Sequence, residues 1–158
     1  MKIAFIGTGL MGYPMASNLL KKKLNLKVFS RTIDKAKPLE KLGAVISNSL
    51  GEAVKDTDII ITMLTDDEAV EKVLGDNEFL NNLKPSSTVV DMSSIKPKIA
   101  IQFGKILEKK GINFLDAPVS GGTIGAEDGS LAIMVGGEQK TFDYAFDTLK
   151  IMGNPTLV

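Results

Sequence analysis

The 158-residue sequence contains no cysteine, no histidine and no tryptophan, and only two tyrosines. Without cysteine there is no disulfide and no thiolate nucleophile; without histidine there is no imidazole base and no ordinary zinc site. Proton transfer is left to lysine, aspartate, glutamate, tyrosine or water, and no metal is expected. The tyrosines, Tyr13 and Tyr144, are followed four residues on by Ser17 and Thr148, so no Tyr-x-x-x-Lys pair is present. A surplus of either charge is missing too. Nineteen basic residues balance nineteen acidic ones, which gives no electrostatic reason to expect nucleic acid or an anionic membrane as partner. The apolar runs fall far short of the ~20 residues of a membrane span, and Met1-Lys2-Ile3 opens a strand instead of a signal peptide. The expectation is a cytoplasmic globular chain, its 44 % apolar content sufficient for the core of one domain.

What is present is an alternation. Short runs rich in Ile, Val and Phe, at 2–6, 26–30, 44–47, 58–63, 88–92, 112–116 and 131–136, are separated by longer amphipathic stretches. Strands alternating with crossover helices form α/β folds, and runs as apolar as Ile59-Ile60-Ile61 indicate a parallel sheet covered on both faces. The clearest helix is 97–110, with Ile99, Phe103, Ile106 and Leu107 on one face, Pro97 in the first turn and Gly111 at the stop. Thr65-Asp66-Asp67-Glu68 reads as a capping box opening a helix after the fourth strand. No repeat or low-complexity tract interrupts this single Rossmann-type, doubly wound domain.

Gly7-Thr8-Gly9-Leu10-Met11-Gly12 is a G-x-G-x-x-G turn, directly after the first strand and at the start of a helix. In that βαβ context Gly7 permits the tight turn, Gly9 lets the backbone approach a pyrophosphate, and Gly12 lets the helix pack close to the strand. The helix start then offers unpaired N–H groups to the anion. The next strand ends in Ser30-Arg31-Thr32, with no Asp or Glu to accept from ribose hydroxyls. An arginine can clamp a 2′-phosphate while the two hydroxyls add neutral donors, which favours NADP over NAD. No G-x-x-x-x-G-K-[ST] sequence supports a P-loop. A second glycine cluster runs from Asp116 to Gly137. Within it, Ser120-Gly121-Gly122 combines a hydroxyl with an unencumbered backbone, either as a small anion site or as a glycine loop meeting turn geometry alone.

These residues resemble the β-hydroxyacid dehydrogenases, which include 3-hydroxyisobutyrate dehydrogenase, tartronate semialdehyde reductase and the glyoxylate and succinic semialdehyde reductases. Phe5 to Leu19 is similar to that family's entrance motif, Gly-x-Gly-x-Met-Gly followed by Pro14-Met15-Ala16 and Asn18. Asp116 to Gly122 is similar to its substrate motif, continuing through Gly125-Ala126-Glu127 to Ile133-Met134-Val135-Gly136-Gly137. The resemblance implies that Gly7, Gly9, Leu10, Met11 and Gly12 hold the pyrophosphate and that Ser30, Arg31 and Thr32 stand for the Asn-Arg-Thr of NADPH-preferring members. It implies that Met63-Leu64-Thr65 corresponds to a cofactor-contacting Met-Leu-Pro turn and that Ser94 replaces a Thr near the nicotinamide ribose. Ser120, Gly121 and Gly122 would then bind the carboxylate of a small aldehyde, oxo acid or hydroxy acid.

The family's catalytic lysine lies on a long helix beyond this domain, in a helical part that also forms dimer contacts. No counterpart stands before Val158, so no catalytic residue is assigned here. The expectation is a cofactor domain of a homo-oligomeric NAD(P)-dependent oxidoreductase, inactive by itself. Among the lysines present, Lys21, Lys22 and Lys23 complement a helix end, and Lys96 and Lys98 open a helix just after Ser94 as solvated flanks. The alternative is a dinucleotide-binding module that binds NADP(H) without turnover.

Overall fold

In the computed structural model, which describes residues 1–158, the apolar runs pair in parallel. Lys2–Ile6 (β1), Asn25–Phe29 (β2), Val45–Ile46 (β3), Ile59–Thr62 (β4), Thr88–Asp91 (β5) and Asn113–Asp116 (β6) form one sheet, in the order β3-β2-β1-β4-β5-β6. The winding direction reverses between β1 and β4, where Ile3 faces Ile59 and Ile6 faces Thr62. This is the Rossmann order, and ligands of such sheets sit beyond the carboxyl ends at that reversal.

The crossovers are Gly12–Lys21 (α1), Ile33–Ala36 (α2) with a 3₁₀ turn at Lys37–Leu42, Leu50–Val54 (α3), Asp67–Leu74 (α4), Asn77–Asn82 (α5) and Pro97–Lys109 (α6). They cover both faces. On one, Ile3, Phe5, Ile61 and Val90 pack with Met15 and Leu19 of α1; on the other, Ile6, Ile60 and Val89 pack with Val70, Phe79 and Phe103. Two-sided burial explains why β4 and β5 are fully buried along their length.

Helix α6 matches the expected 97–110 to within a residue. It stops because Gly111, at φ +74°, lets Ile112 N–H reach the Leu107 carbonyl and Gly111 N–H the Glu108 carbonyl, both at 3.0 Å. Helix α4 starts differently from expectation. Its cap is Asp66, whose Oδ1 accepts from Ala69 N–H at 2.8 Å, so Thr65 does not close the capping box. A carboxylate placed three residues before that amide is a stronger acceptor than a hydroxyl and is favoured by the helix dipole.

The run 131–136 does not join the parallel sheet, contrary to expectation. Gly122–Asp128 (α7) and Gln139–Met152 (α8) flank a separate three-stranded sheet of Val119–Ser120 (β7), Leu131–Val135 (β8) and Gly153–Leu157 (β9). Strand β7 is antiparallel to β8 and β9 parallel to it. Two of these strands carry little signal: β7 has two residues, and β9 holds Gly153 and Pro155. Proline is tolerated there because β9 is an edge strand. The small sheet is stitched to β6 by reciprocal backbone bonds between Asp116 and Gly136, at 3.0 and 2.7 Å.

Candidate dinucleotide and substrate site

The turn after β1 is closed in by backbone at two glycines and open at the third. Gly7 adopts φ +107°, and a Cβ there would collide with the Met63 carbonyl oxygen; one on Gly12 would collide with the Gly7 carbonyl oxygen. Gly9 has nothing within 4 Å of where its Cβ would be. Gly7 N–H donates to the Phe29 carbonyl at 3.0 Å, and the next amide with a backbone acceptor is Tyr13 N–H, on the Gly9 carbonyl at 3.1 Å, which leaves those of Leu10, Met11 and Gly12 without one. No acidic side chain occupies the first turn of α1. Thr8 Oγ1 is buried with no partner, in a groove that Gly9, Leu10, Lys35 and Thr123 also line. Open space over Gly9, free amides and an uncompensated helix start together fit the diphosphate of a dinucleotide.

At the end of β2, Ser30 is buried, while Arg31 and Thr32 are exposed. Arg31 has no carboxylate within salt-bridge distance. Lys35, on α2 and in the same groove as Gly9 and Leu10, is a second cation near the turn. The sequence reading passed over it, although its spacing of four from Arg31 offered the cue.

Beyond β4, Met63 and Leu64 are half-buried and Thr65 is exposed. Leu64 N–H donates to Ser93 Oγ at 2.8 Å. Ser93 N–H donates in turn to Asp91 Oδ1 at 3.2 Å, and Thr62 Oγ1 donates to the same oxygen at 2.8 Å. Asp91 is 0 % exposed, and burial pushes its pKa up despite the bonds from Ser93 and Thr62. Asp116 is its neighbour in register on β6. Burial, and secondarily the Asp91 charge, raise its pKa to about 6. Ser94, next to the wholly buried Ser93, is exposed. Asp91, Ser93 and Asp116 were missed as site residues, although an aspartate closing each of the apolar runs Val89-Val90-Asp91 and Phe114-Leu115-Asp116 was the available signal.

Lys96 has a place in this region. Its backbone N–H donates to Asp67 Oδ1 at 3.1 Å and its Nζ lies 3.9 Å from Asp67 Oδ2, which offsets a cation at the start of α6. The Lys96 side chain is otherwise exposed, as a solvated flank should be.

Ser120, at the end of β7, is exposed and paired with Ala132. Gly121 and Gly122 follow at φ +141° and +62°, and Gly125 N–H closes the first turn of α7 on the Gly121 carbonyl at 3.0 Å. Asn18 fastens α1 to this segment: its Nδ2 donates to the Ala126 and Glu127 carbonyls at 2.8 and 3.3 Å. The structure thus brings the 7–12 turn against Met63 and Leu64, sets Ser30–Thr32 and Ser94 beyond the carboxyl ends of β2 and β5, and carries Ser120–Gly122 on the second sheet. No helix is long and apolar enough to cross a membrane.

Known proteins share this fold. The chain is 42 % identical over 161 residues to 2-hydroxy-3-oxopropionate reductase of Escherichia coli (strain K12), covering 100 % of this chain and 54 % of that protein. The structure of Mycobacterium tuberculosis 3-hydroxyisobutyrate dehydrogenase with L-serine superposes with a TM-score of 0.94 at 34 % identity, over 99 % of this chain and 53 % of that one. An imine reductase from Myxococcus stipitatus in complex with NADP+ superposes with a TM-score of 0.93 at 25 % identity, over 100 % and 55 %. The chain therefore spans about half the length of the relatives it matches. These relatives are oxidoreductases, and they bear out the resemblance to β-hydroxyacid dehydrogenases. A family model described as the NAD binding domain of 6-phosphogluconate dehydrogenase matches residues 2–158, and to that family of NAD-binding domains this chain belongs.

Proposed function

We propose that this chain is the cofactor-binding domain of an NADPH-preferring β-hydroxyacid dehydrogenase or semialdehyde reductase, which moves a hydride between NADP(H) and a small hydroxy or oxo acid. The observation that carries the reading is the end of β2: an exposed, unpaired Arg31 with Ser30 and Thr32, and no carboxylate to receive ribose hydroxyls. Arg31 would clamp the 2′-phosphate through its planar fork, with Lys35 adding charge nearby. Gly7, Gly9, Leu10, Met11 and Gly12 would cradle the diphosphate on the free amides of α1. Met63, Leu64, Thr65 and Ser94 would border the nicotinamide nucleotide, and the hydroxyl of Ser120 with the backbone at Gly121 and Gly122 would receive the substrate carboxylate. When bound, the nicotinamide supplies the hydride.

The proton for the developing alkoxide would come from a lysine outside residues 1–158, in a helical part that also closes the pocket and makes the homo-oligomer contacts. The 158 residues alone would bind NADPH without turnover. Titration of the chain with NADPH and NADH is expected to give the tighter constant for NADPH, and Arg31→Ala to bring the two within about threefold by removing a charge-assisted contact. Equal affinities for the unaltered chain would overturn the preference. A non-catalytic NADP(H) module predicts the same binding; it becomes the better reading if the parent protein leaves oxo acids unreduced.

A further inference from the structure

A doubly wound sheet is two mononucleotide-binding halves related across the reversal between β1 and β4. If Arg31, beyond β2, takes the adenosine 2′-phosphate, the β4 and β5 ends take the other nucleotide, so this inference rests on the dinucleotide reading above. Two turns form that half: Met63-Leu64-Thr65 after β4 and Ser93-Ser94 after β5. Nothing in the strand pairing fixes them relative to one another, because both lie past the last residue pair, Thr62 with Asp91.

Two side chains, Asp91 and Ser93, join them. Asp91 Oδ1 accepts from Thr62 Oγ1 on β4 and from Ser93 N–H in the second turn. Ser93 Oγ then accepts from Leu64 N–H in the first turn, at 2.8 Å. Asp91 and Ser93 are both 0 % exposed, and Asp91 Oδ2 has no partner. Hydrophobic packing on that face would be served as well by an apolar residue, since an unpaired buried carboxylate oxygen is costly. A carboxylate is retained where its acceptor capacity is used. We infer that Asp91 is a positioning residue for the second nucleotide: through Thr62 and Ser93 it sets the spacing of the 63–65 and 93–94 turns and so shapes the site between β4 and β5.

The test compares two ligands on the 158-residue chain. NADPH spans both halves; adenosine 2′,5′-bisphosphate reaches only the half beyond β2. Asp91→Ala should weaken NADPH by about tenfold or more while leaving the bisphosphate within about twofold, because two buried donors lose their acceptor on one side of the site only. Asp91→Asn, which keeps one oxygen able to accept both bonds, should recover most of the loss. Ser93→Ala removes the acceptor for Leu64 N–H, together with the hydroxyl's interaction with Asp91, and is expected to weaken NADPH about fivefold with the same selectivity; it decides the matter if Asp91→Ala does not fold. A purely structural staple would change both ligands alike or neither, and either result in a folded variant overturns the inference. Failure of the unaltered chain to bind either ligand would overturn the dinucleotide reading and this inference with it.

Discussion

The two glycine turns of this chain look alike in sequence and differ in what confines them. In the 7–12 turn, Gly7 and Gly12 are hemmed in by main chain, the Met63 and Gly7 carbonyls, which cannot step aside. In the 120–122 segment, Gly122 has nothing within 4 Å of its Cβ position, and the nearest atom to that of Gly121 is a side-chain methyl of Leu131, at 3.1 Å. The first turn is therefore confined by main chain, while at Gly122 the second is constrained by backbone conformation and not by contact. The difference fits the proposed roles, a diphosphate at a rigid cradle and a small carboxylate at a turn with free N–H groups and room.

Substitution by alanine should separate the two. Gly12→Ala is expected to have the largest effect, a loss of stability above ~3 kcal/mol, because a methyl must displace the Gly7 carbonyl on which the turn is built. Chemical denaturation would read this directly. Gly122→Ala, strained only by its φ of +62°, should cost about 1–2 kcal/mol and leave NADPH affinity unchanged. Equal losses at the two positions would erase the distinction. Gly9→Ala sharpens it from the other side. The site has space for a methyl in the empty protein, so stability should move by less than ~1 kcal/mol, while NADPH affinity should drop by at least tenfold as the methyl takes the room over the turn. Retained affinity in Gly9→Ala would show that the diphosphate does not lie there.

Legibility divides along the same line. The parallel sheet could be read from the sequence because burial on both faces writes itself as apolar runs such as Ile59-Ile60-Ile61, and α6 because Pro97 and Gly111 mark its ends. The 7–12 turn could be placed because three glycines at fixed spacing between a strand and a helix have a steric cause. The small sheet could not. Its β7 is too short for a period, and β9 follows α8 directly through Gly153, whose Cβ would strike the Leu131 carbonyl, a tertiary constraint with no local mark. Asp91 and Asp116 were hidden for a related reason: a polar residue ending an apolar strand reads as its boundary until the fold shows the two in register, Asp91 wholly buried and Asp116 half-buried, with Ser93 buried in the turn that follows.

The paired aspartates test whether the second segment, too, is held by anything beyond backbone conformation. Asp116 leads into the 120–122 loop and bridges to Gly136, yet its Oδ1 is buried without a partner. Its pKa is raised to about 6, mainly by burial and further by the Asp91 charge. An aspartate in the unfolded chain titrates near 3.9, so between those values the folded state binds more protons than the unfolded one. Stability from this group is then greatest in acid and falls as pH rises from about 4 through about 6. Asp58, whose pKa is lowered chiefly by its hydrogen bond from Lys84, works in the opposite sense, so the total pH profile mixes the two. The difference between Asp116→Asn and the unaltered chain isolates the first. The variant should be no more stable at pH 4, should gain steadily to pH 7, and should hold its advantage above that. A difference that does not change with pH would mean that the Asp116 carboxyl is solvated in the folded chain and that its burial adds nothing to the hold on the loop it introduces.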